Sequence, residues 1–375
     1  MRTLLYILAA LIGFLLLLPL LVRHETTIQI TREGDPLPAI VLSLEGFDRI
    51  EQDRVRVYFS PSQQALAQDV AETLQEVLDL LAGRLGITTS IAVALFPREE
   101  LEEEHGDLRG RSFVLPGGKA WPILVSQEWQ RVSEGDSSFL RWIYSTAPHE
   151  ATEDVVSDLL YHDRRARWVG DGLAEYAGYV VAARWAPSVL EEELRGHQAR
   201  IETLLAEGKE TYNLLEEFLV RAGFGGAAAP WTPVEYAGYS VSLAFWLDLA
   251  ERYGEETIRA FWKRLSTQRT WCLIPALVCF GPNAETAAQI LGELTGEDIG
   301  ERLQRVDLQK ALEILERAVV PAPDSGSRIL PHLFEIRKRE SQVQAAQLRL
   351  QTLPAPLGHY GLQRPPDGLP LGLRP

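Results

Sequence analysis

Cysteine is almost missing from this chain: two of 375 residues, Cys272 and Cys279. There is no CxxC pair, which excludes a thiol-redox motif or a thiolate metal clip. There is no GxSxG elbow, so a nucleophilic serine of that type is excluded. There is no glycine-rich phosphate loop; the glycines of WVGDGLAEYAGY open a helix rather than follow a strand. Positive charge is also short. Lys and Arg number 37 against 52 Asp and Glu, for a net charge of −15 and a pI near 5.0. A nucleic-acid backbone is therefore not an expected partner.

The one long apolar run is Leu4–Val22, nineteen residues without a charge. That length suits a single membrane-spanning helix. Neither a small-x-small cleavage site nor a cysteine follows it, which argues against a cleaved signal peptide and a lipoprotein. Arg2 precedes the run and Arg23 follows, a near-balanced pair that slightly favours a cytoplasmic N-terminus. The expectation is a single-pass membrane protein with the bulk of the chain extracytoplasmic (periplasmic if bacterial).

With 46% hydrophobic residues, the remainder can bury one large core or two closely joined ones. The expected organisation is an anchor over 1–25, an α/β subdomain over 26–135 and a helical subdomain over 136–319. A linker and charged helix over 320–353 and a Pro/Gly-rich disordered tail over 354–375 follow. Val55–Phe59, Ile91–Phe96 and Trp121–Ser126 read as strands, Thr26–Arg32 and Ile40–Leu44 as short strands or an extended linker, and Phe113–Pro116 as a short piece closed by Gly117-Gly118. Ala65–Leu85 carries its apolar residues at helical spacing. Ser137–Tyr161 and Asp171–Ala183 read as a helix pair. Val189–Glu207, Leu214–Ala222, Val234–Tyr253 (closed by Gly254), Glu256–Leu265, Asn283–Thr295 and Ile299–Val319 read as helices. In WCLIPALVCF, a helix would hold the two cysteines about 10 Å apart, as free thiols, unless Pro275 bends the segment. The fold class is α+β: a small N-terminal mixed sheet with helices, a helix pair, then an all-helical C-terminal half.

The chemistry concentrates in Pro148–Tyr179, PHEATEDVVSDLLYHDRRARWVGDGLAEYAGY. His149 and Glu153 are four residues apart and share one face of a helix, with Glu150 about 100° round it. Asp171 comes eighteen residues after Glu153, room for a second helix to return. One imidazole and two carboxylates from packed helices can hold a divalent metal, and Glu150 could activate its water. Glu175 could hold the ring of His149 in place. The alternative is an ion-pair cluster: Glu153 and Asp171 bound by Arg165 or Arg167, Glu175 by another arginine, and His149 a satisfied core histidine.

The pattern His149-Glu150-x-x-Glu153 followed by Trp168-x-x-Asp171-Gly172-x-Ala174-Glu175-Tyr176 resembles the gluzincin zinc metallopeptidases. In that family both His of HExxH and a later Glu bind zinc, and the Glu of HE is the general base. Here Glu153 stands at the place of the second His, and Asp171 at that of the later Glu. The resemblance covers about residues 55–315 and implies a thermolysin-like fold acting on a peptide or protein substrate. It implies zinc at His149, Glu153 and Asp171, with manganese or iron as alternatives because two carboxylates make the site harder. It also implies Tyr236 or Tyr239 as oxyanion donor, each otherwise an ordinary core tyrosine. The competing expectation is a catalytically inactive relative serving as a binding or scaffold module at the membrane.

Overall fold

The computed structural model of the chain describes residues 27–30, 40–43, 46–95, 112–113, 123–126, 138–160, 163–219, 232–269, 271–274 and 278–318. The chain divides into two units, Met1–Ile329 and Leu330–Pro375, and all described residues belong to the first. The expected anchor Leu4–Val22, the charged helix near 330–350 and the Pro/Gly-rich tail lie outside the described residues. No described helix is long and apolar enough to cross a membrane.

The architecture is mostly helical with a small mixed sheet, compatible with the α+β class. Strands β1 (Thr27–Ile30) and β2 (Ile40–Ser43) form an antiparallel pair. β3 (Asp48–Gln52), β4 (Val55–Phe59), β5 (Ile91–Leu95), β6 (Ser112–Phe113) and β7 (Ile123–Ser126) form one sheet in the order β3-β4-β5-β7-β6. β4, β5 and β7 run parallel, while β3 and β6 close the edges antiparallel. Val55, Val57 and Phe59 alternate inward, whereas every residue of β5 is buried, as a central parallel strand requires. Helix α1 (Gln64–Leu85) packs on β3 and β4 and buries Val70, Leu74, Val77, Leu78 and Leu81. β3 was not evident in sequence because its DRIEQ pattern is that of a polar edge strand. It reaches β4 through a two-residue turn in which Asp53 takes φ 45°.

The helical part begins with α2 (Ser138–Arg141), a π turn (Trp142–Thr146) and α3 (Ala147–Leu160), continuous as expected for 137–161. Pro148 lacks an N–H, and its ring would crowd the carbonyl of residue 144 in a regular α-helix. The π turn widens the backbone just before it, with Ala147 N–H reaching Trp142 O. A 3-10 turn (Arg164–Ala166) leads into α4 (Arg167–Trp185), which starts four residues earlier than the expected Asp171. Asp163 caps the turn through Arg165 N, so Arg164–Ala166 are drawn into the helix start.

α5 (Pro187–Ala206), β8 (Thr211–Tyr212), α6 (Pro233–Tyr253) and α7 (Glu255–Ser266) follow. α6 begins with a Thr232–Glu235 capping box and ends at Gly254, φ 79°. The expected helix at Leu214–Ala222 is instead a turn over its described part. Asn213 binds Leu215 N, Glu217 binds Asn213 N, and Leu214 N donates to Leu303 O. The cysteine segment is a hairpin rather than a helix: β9 (Trp271–Ile274) pairs antiparallel with β10 (Val278–Phe280), and Cys279 is the Cα partner of Cys272. α8 (Ala284–Thr295) matches expectation, capped by Asn283 and closed at Gly296. The single helix expected at Ile299–Val319 is two, α9 (Ile299–Gln304) and α10 (Leu308–Arg317), split by β11 (Val306–Asp307), which pairs with β8. Asp298 and Asp307 each cap the start of one, which is why one helix became two.

α4 is the central element, with α3 on one side and α6 on the other. Two of its glycines permit close approach. A Cβ on Gly172 would lie 1.9 Å from Ser242 Oγ, and one on Gly178 would lie 3.0 Å from Ser145 O in the π turn. Ser242 Oγ and Trp246 Nε1 both donate to Trp168 O at 3.0 Å, and the Trp168 and Trp246 rings stack. Trp168, Gly172 and Ala174 of the motif thus serve packing. Tyr176 does the same, its hydroxyl bonded to Glu255 at the start of α7.

Candidate metal centre

α3 and α4 lie side by side, and three side chains meet between them. His149 and Glu153 come from one face of α3 and Asp171 from the first turns of α4. One ligand atom from each lies within 4.8 Å of the other two. His149 Nε2 is 3.6 Å from Glu153 Oε2. Glu153 is the most open of the trio and Asp171 is buried.

The local charges explain how such a cluster folds. Arg167, one turn before Asp171, donates from Nε to Oδ2 at 2.8 Å and from Nη2 to Oδ1 at 3.3 Å. Both partners are deeply covered, with side chains 7% and 8% exposed. The same guanidinium donates to Tyr239 Oη at 2.6 Å and to Leu219 O, and lies over the Phe218 ring. The ion-pair alternative is therefore realised for Asp171 through Arg167. Arg165 instead faces Glu285 and Asp163.

Burial opposes charge on His149, but its bond to Glu153 and the fields of Glu175 and Glu150 outweigh it and push the imidazole up to about 10. Burial and then the Glu153 charge raise Asp171 to about 6, against the pull of Arg167. For Glu153, burial is opposed by His149 and Arg167, and the balance lies below the usual carboxylate value. Two carboxylates thus face an imidazolium and a guanidinium.

The remaining sequence candidates fall out as follows. Glu150 lines a cleft of about 450 Å³ together with His149, Glu175 and Tyr239. Glu175 Oε1 is 3.7 Å from His149 Nδ1, on the ring edge away from Glu153. Burial would raise Glu175, but its bond to His197 and the charges of His149 and Arg200 hold it at about 2. Tyr239 sits at the site, its ring centroid 6.4 Å from that of His149. Burial and the neighbouring Asp171 lift its hydroxyl well above the normal value, so it stays a donor. Tyr236, one turn earlier on α6, is 48% exposed and does not line the cleft. Sequence reasoning missed His197, buried on α5 and bonded to Ser240. The signal was there: His197 interrupts the apolar stripe Leu190, Leu194, Ile201, Leu204.

The donor set suits a divalent cation. Metal–ligand bonds of about 2.0–2.2 Å place donors roughly 3–4 Å apart, and the His149–Glu153 separation falls in that range. Asp171 retains lone pairs beyond those Arg167 uses, since a carboxylate offers about four acceptor sites. His149 must surrender its proton to bind, so a cation and a proton compete there.

No family model matches the chain, and no curated protein matches its sequence. Among solved structures, native yeast LTA4 hydrolase aligns with TM-score 0.42 and 10% identity, over 74% of this chain and 42% of that one. Yeast LTA4 hydrolase in complex with bestatin aligns with TM-score 0.38 and 9% identity, over 64% and 38%. The chain spans less than half the length of either. At that similarity the site stands on its own geometry.

Proposed function

We propose that this chain is a metal-dependent hydrolase of peptide bonds, with His149, Glu153 and Asp171 holding the cation. The observation that carries the reading is the convergence of those three donors within 4.8 Å from two different helices. The cation, zinc by the His-Glu-Asp motif or manganese or iron by its oxygen content, would supply Lewis acidity at the scissile carbonyl. Glu150 takes the proton from the attacking water and passes it to the leaving amine. Tyr239, held protonated beside the trio, donates to the developing oxyanion. Its place beside His149 supports this role for it rather than for the exposed Tyr236. Arg167 keeps Asp171 ionised and aimed. The proposal includes anchorage by Leu4–Val22 with the site outside the cytoplasm, supported by the uncharged length of that run.

One observation favours a second reading, a catalytically inactive binding module. Arg167 and His149 already balance the two carboxylates without a cation. Elemental analysis separates the two. The purified chain, incubated with zinc or manganese, is expected to retain one metal ion, and His149→Ala to lose it. A metal-free wild type would sink the hydrolase reading and favour the module. In the metal-loaded protein, Glu150→Gln keeps the size of the side chain and removes the base. Cleavage of a peptide library should fall by about 10²–10⁴-fold with metal content unchanged.

A further inference from the structure

Beyond the trio and Glu150, one deeply buried imidazole is unused by that mechanism. His197, 6% exposed on α5, has Nδ1 at 3.0 Å from Ser240 Oγ and 3.2 Å from Arg200 Nη1. A guanidinium has N–H donors and no acceptor, so Nδ1 must be the accepting nitrogen. The ring proton is thereby placed on Nε2, which lies 3.5 Å from Glu175 Oε2. The other oxygen of Glu175 lies 3.7 Å from His149 Nδ1. The two carboxylate oxygens are divided between two imidazoles, one on α5 and one on α3.

That division has a mechanical consequence. Glu175 lines the open cleft and has three rotatable side-chain bonds, so a single contact to His149 would leave it free to swing toward water. His197 supplies the second contact, from a ring whose orientation Ser240 and Arg200 fix in turn. With Glu175 held at Nδ1 of His149, that ring presents Nε2 to Glu153.

We propose that His197 is a positioning residue of the metal centre, locking Glu175 and through it the ring of His149. The inference rests on the metal-binding reading of the trio. Two variants of the full-length chain test it with the same chemistry and different reach. The amide of His197→Gln reaches the place of Nε2 and can still donate to Glu175. The amide of His197→Asn reaches only the place of Nδ1, so it keeps Ser240 and loses Glu175. Zinc affinity, measured by chelator competition, is expected to weaken in His197→Asn by up to the about 10–100-fold cost of losing a ligand's outer partner such as Glu175, and to recover in His197→Gln. In protein carrying ¹³C-labelled histidine, the His149 ring signals should be single in wild type and His197→Gln and broadened or doubled in His197→Asn. If His197→Asn does not fold, His197→Leu, apolar and close to the ring in volume, should move both readouts in the same direction. Equal affinity and unchanged His149 signals across the variants would overturn the proposal. If wild type takes up no zinc, the metal reading fails by itself. The His149 signals then decide the positioning role alone: broadened in His197→Asn, it stands; unchanged, it falls.

Discussion

The most contested atom group in the molecule is the carboxylate of Asp171, claimed by Arg167 and by the candidate centre. A buried ion pair broken on one side leaves an uncompensated charge, at a typical cost of about 3–5 kcal/mol. Arg167→Leu should therefore destabilise the protein by about 3 kcal/mol at neutral pH in denaturant unfolding. The loss should shrink at pH 5, because burial already raises Asp171 to about 6 and protonation relieves the unpaired charge. Added zinc should restore more stability to Arg167→Leu than it adds to wild type, since a cation can take the place of the guanidinium. The same zinc increment in both proteins would mean that Asp171 answers to the arginine alone. The sequence showed this competition in outline: Arg167 lies four residues before Asp171, one helical turn if both are in the helix. It did not show that α4 begins early enough to include Arg167.

At the scale of elements, the site exists because α3, α4 and α6 approach closely. Gly172 is where that approach is tightest, with Trp246 Nε1 2.9 Å and Ser242 Oγ 1.9 Å from the position of a Cβ. Helix propensity favours Ala over Gly by up to about 1 kcal/mol. Overpacking a tight core costs about 1–3 kcal/mol, and an approach under 3 Å has to be relieved by moving a helix. The clash should win. Gly172→Ala is expected to lower the melting temperature by several degrees, at roughly 2–4 °C per kcal/mol for a domain of this size. Gly172→Ala combined with Ser242→Gly should regain part of the loss. A Gly172→Ala protein as stable as wild type would mean that the α4–α6 spacing is looser than described. Gly172 was legible as a motif residue, but its partner on α6 lies seventy positions away in sequence, and no local pattern announces it.

Across the whole molecule, buried tyrosines tie the elements together. Burial and then the Glu76 charge push Tyr144, in the π turn, up to about 12 from the ordinary tyrosine value of 10.0. Tyr176 and Tyr212 are raised further, mainly by burial. A hydroxyl whose folded value exceeds its unfolded value favours the folded state while neutral. Its stabilisation is complete below pH 10 and is lost as pH rises through the folded value. The phenolate absorbance of these tyrosines should therefore appear together with the loss of helical circular dichroism above pH 10. Full tyrosine ionisation with native circular dichroism would show that the hydroxyls are accessible.

The sequence by itself determined the order of elements wherever a periodic apolar pattern met a strong terminator. Helix α1, the α2–α3 run, α6 with Gly254 and α8 with Gly296 follow from those local rules, as do β4 and β5. It also named the trio and the position of Glu175, because i, i+4 spacing and a recurring residue pattern are properties of the chain. The tertiary structure decided what no window of sequence contains. It brought Asp171 across to α3, set Tyr239 rather than Tyr236 beside His149, turned the cysteine segment into a hairpin, and divided Glu175 between His149 and His197. Each of these depends on which faces of distant elements touch. That is settled by packing and by the pairing of buried charge, whose energies act across space rather than along the chain.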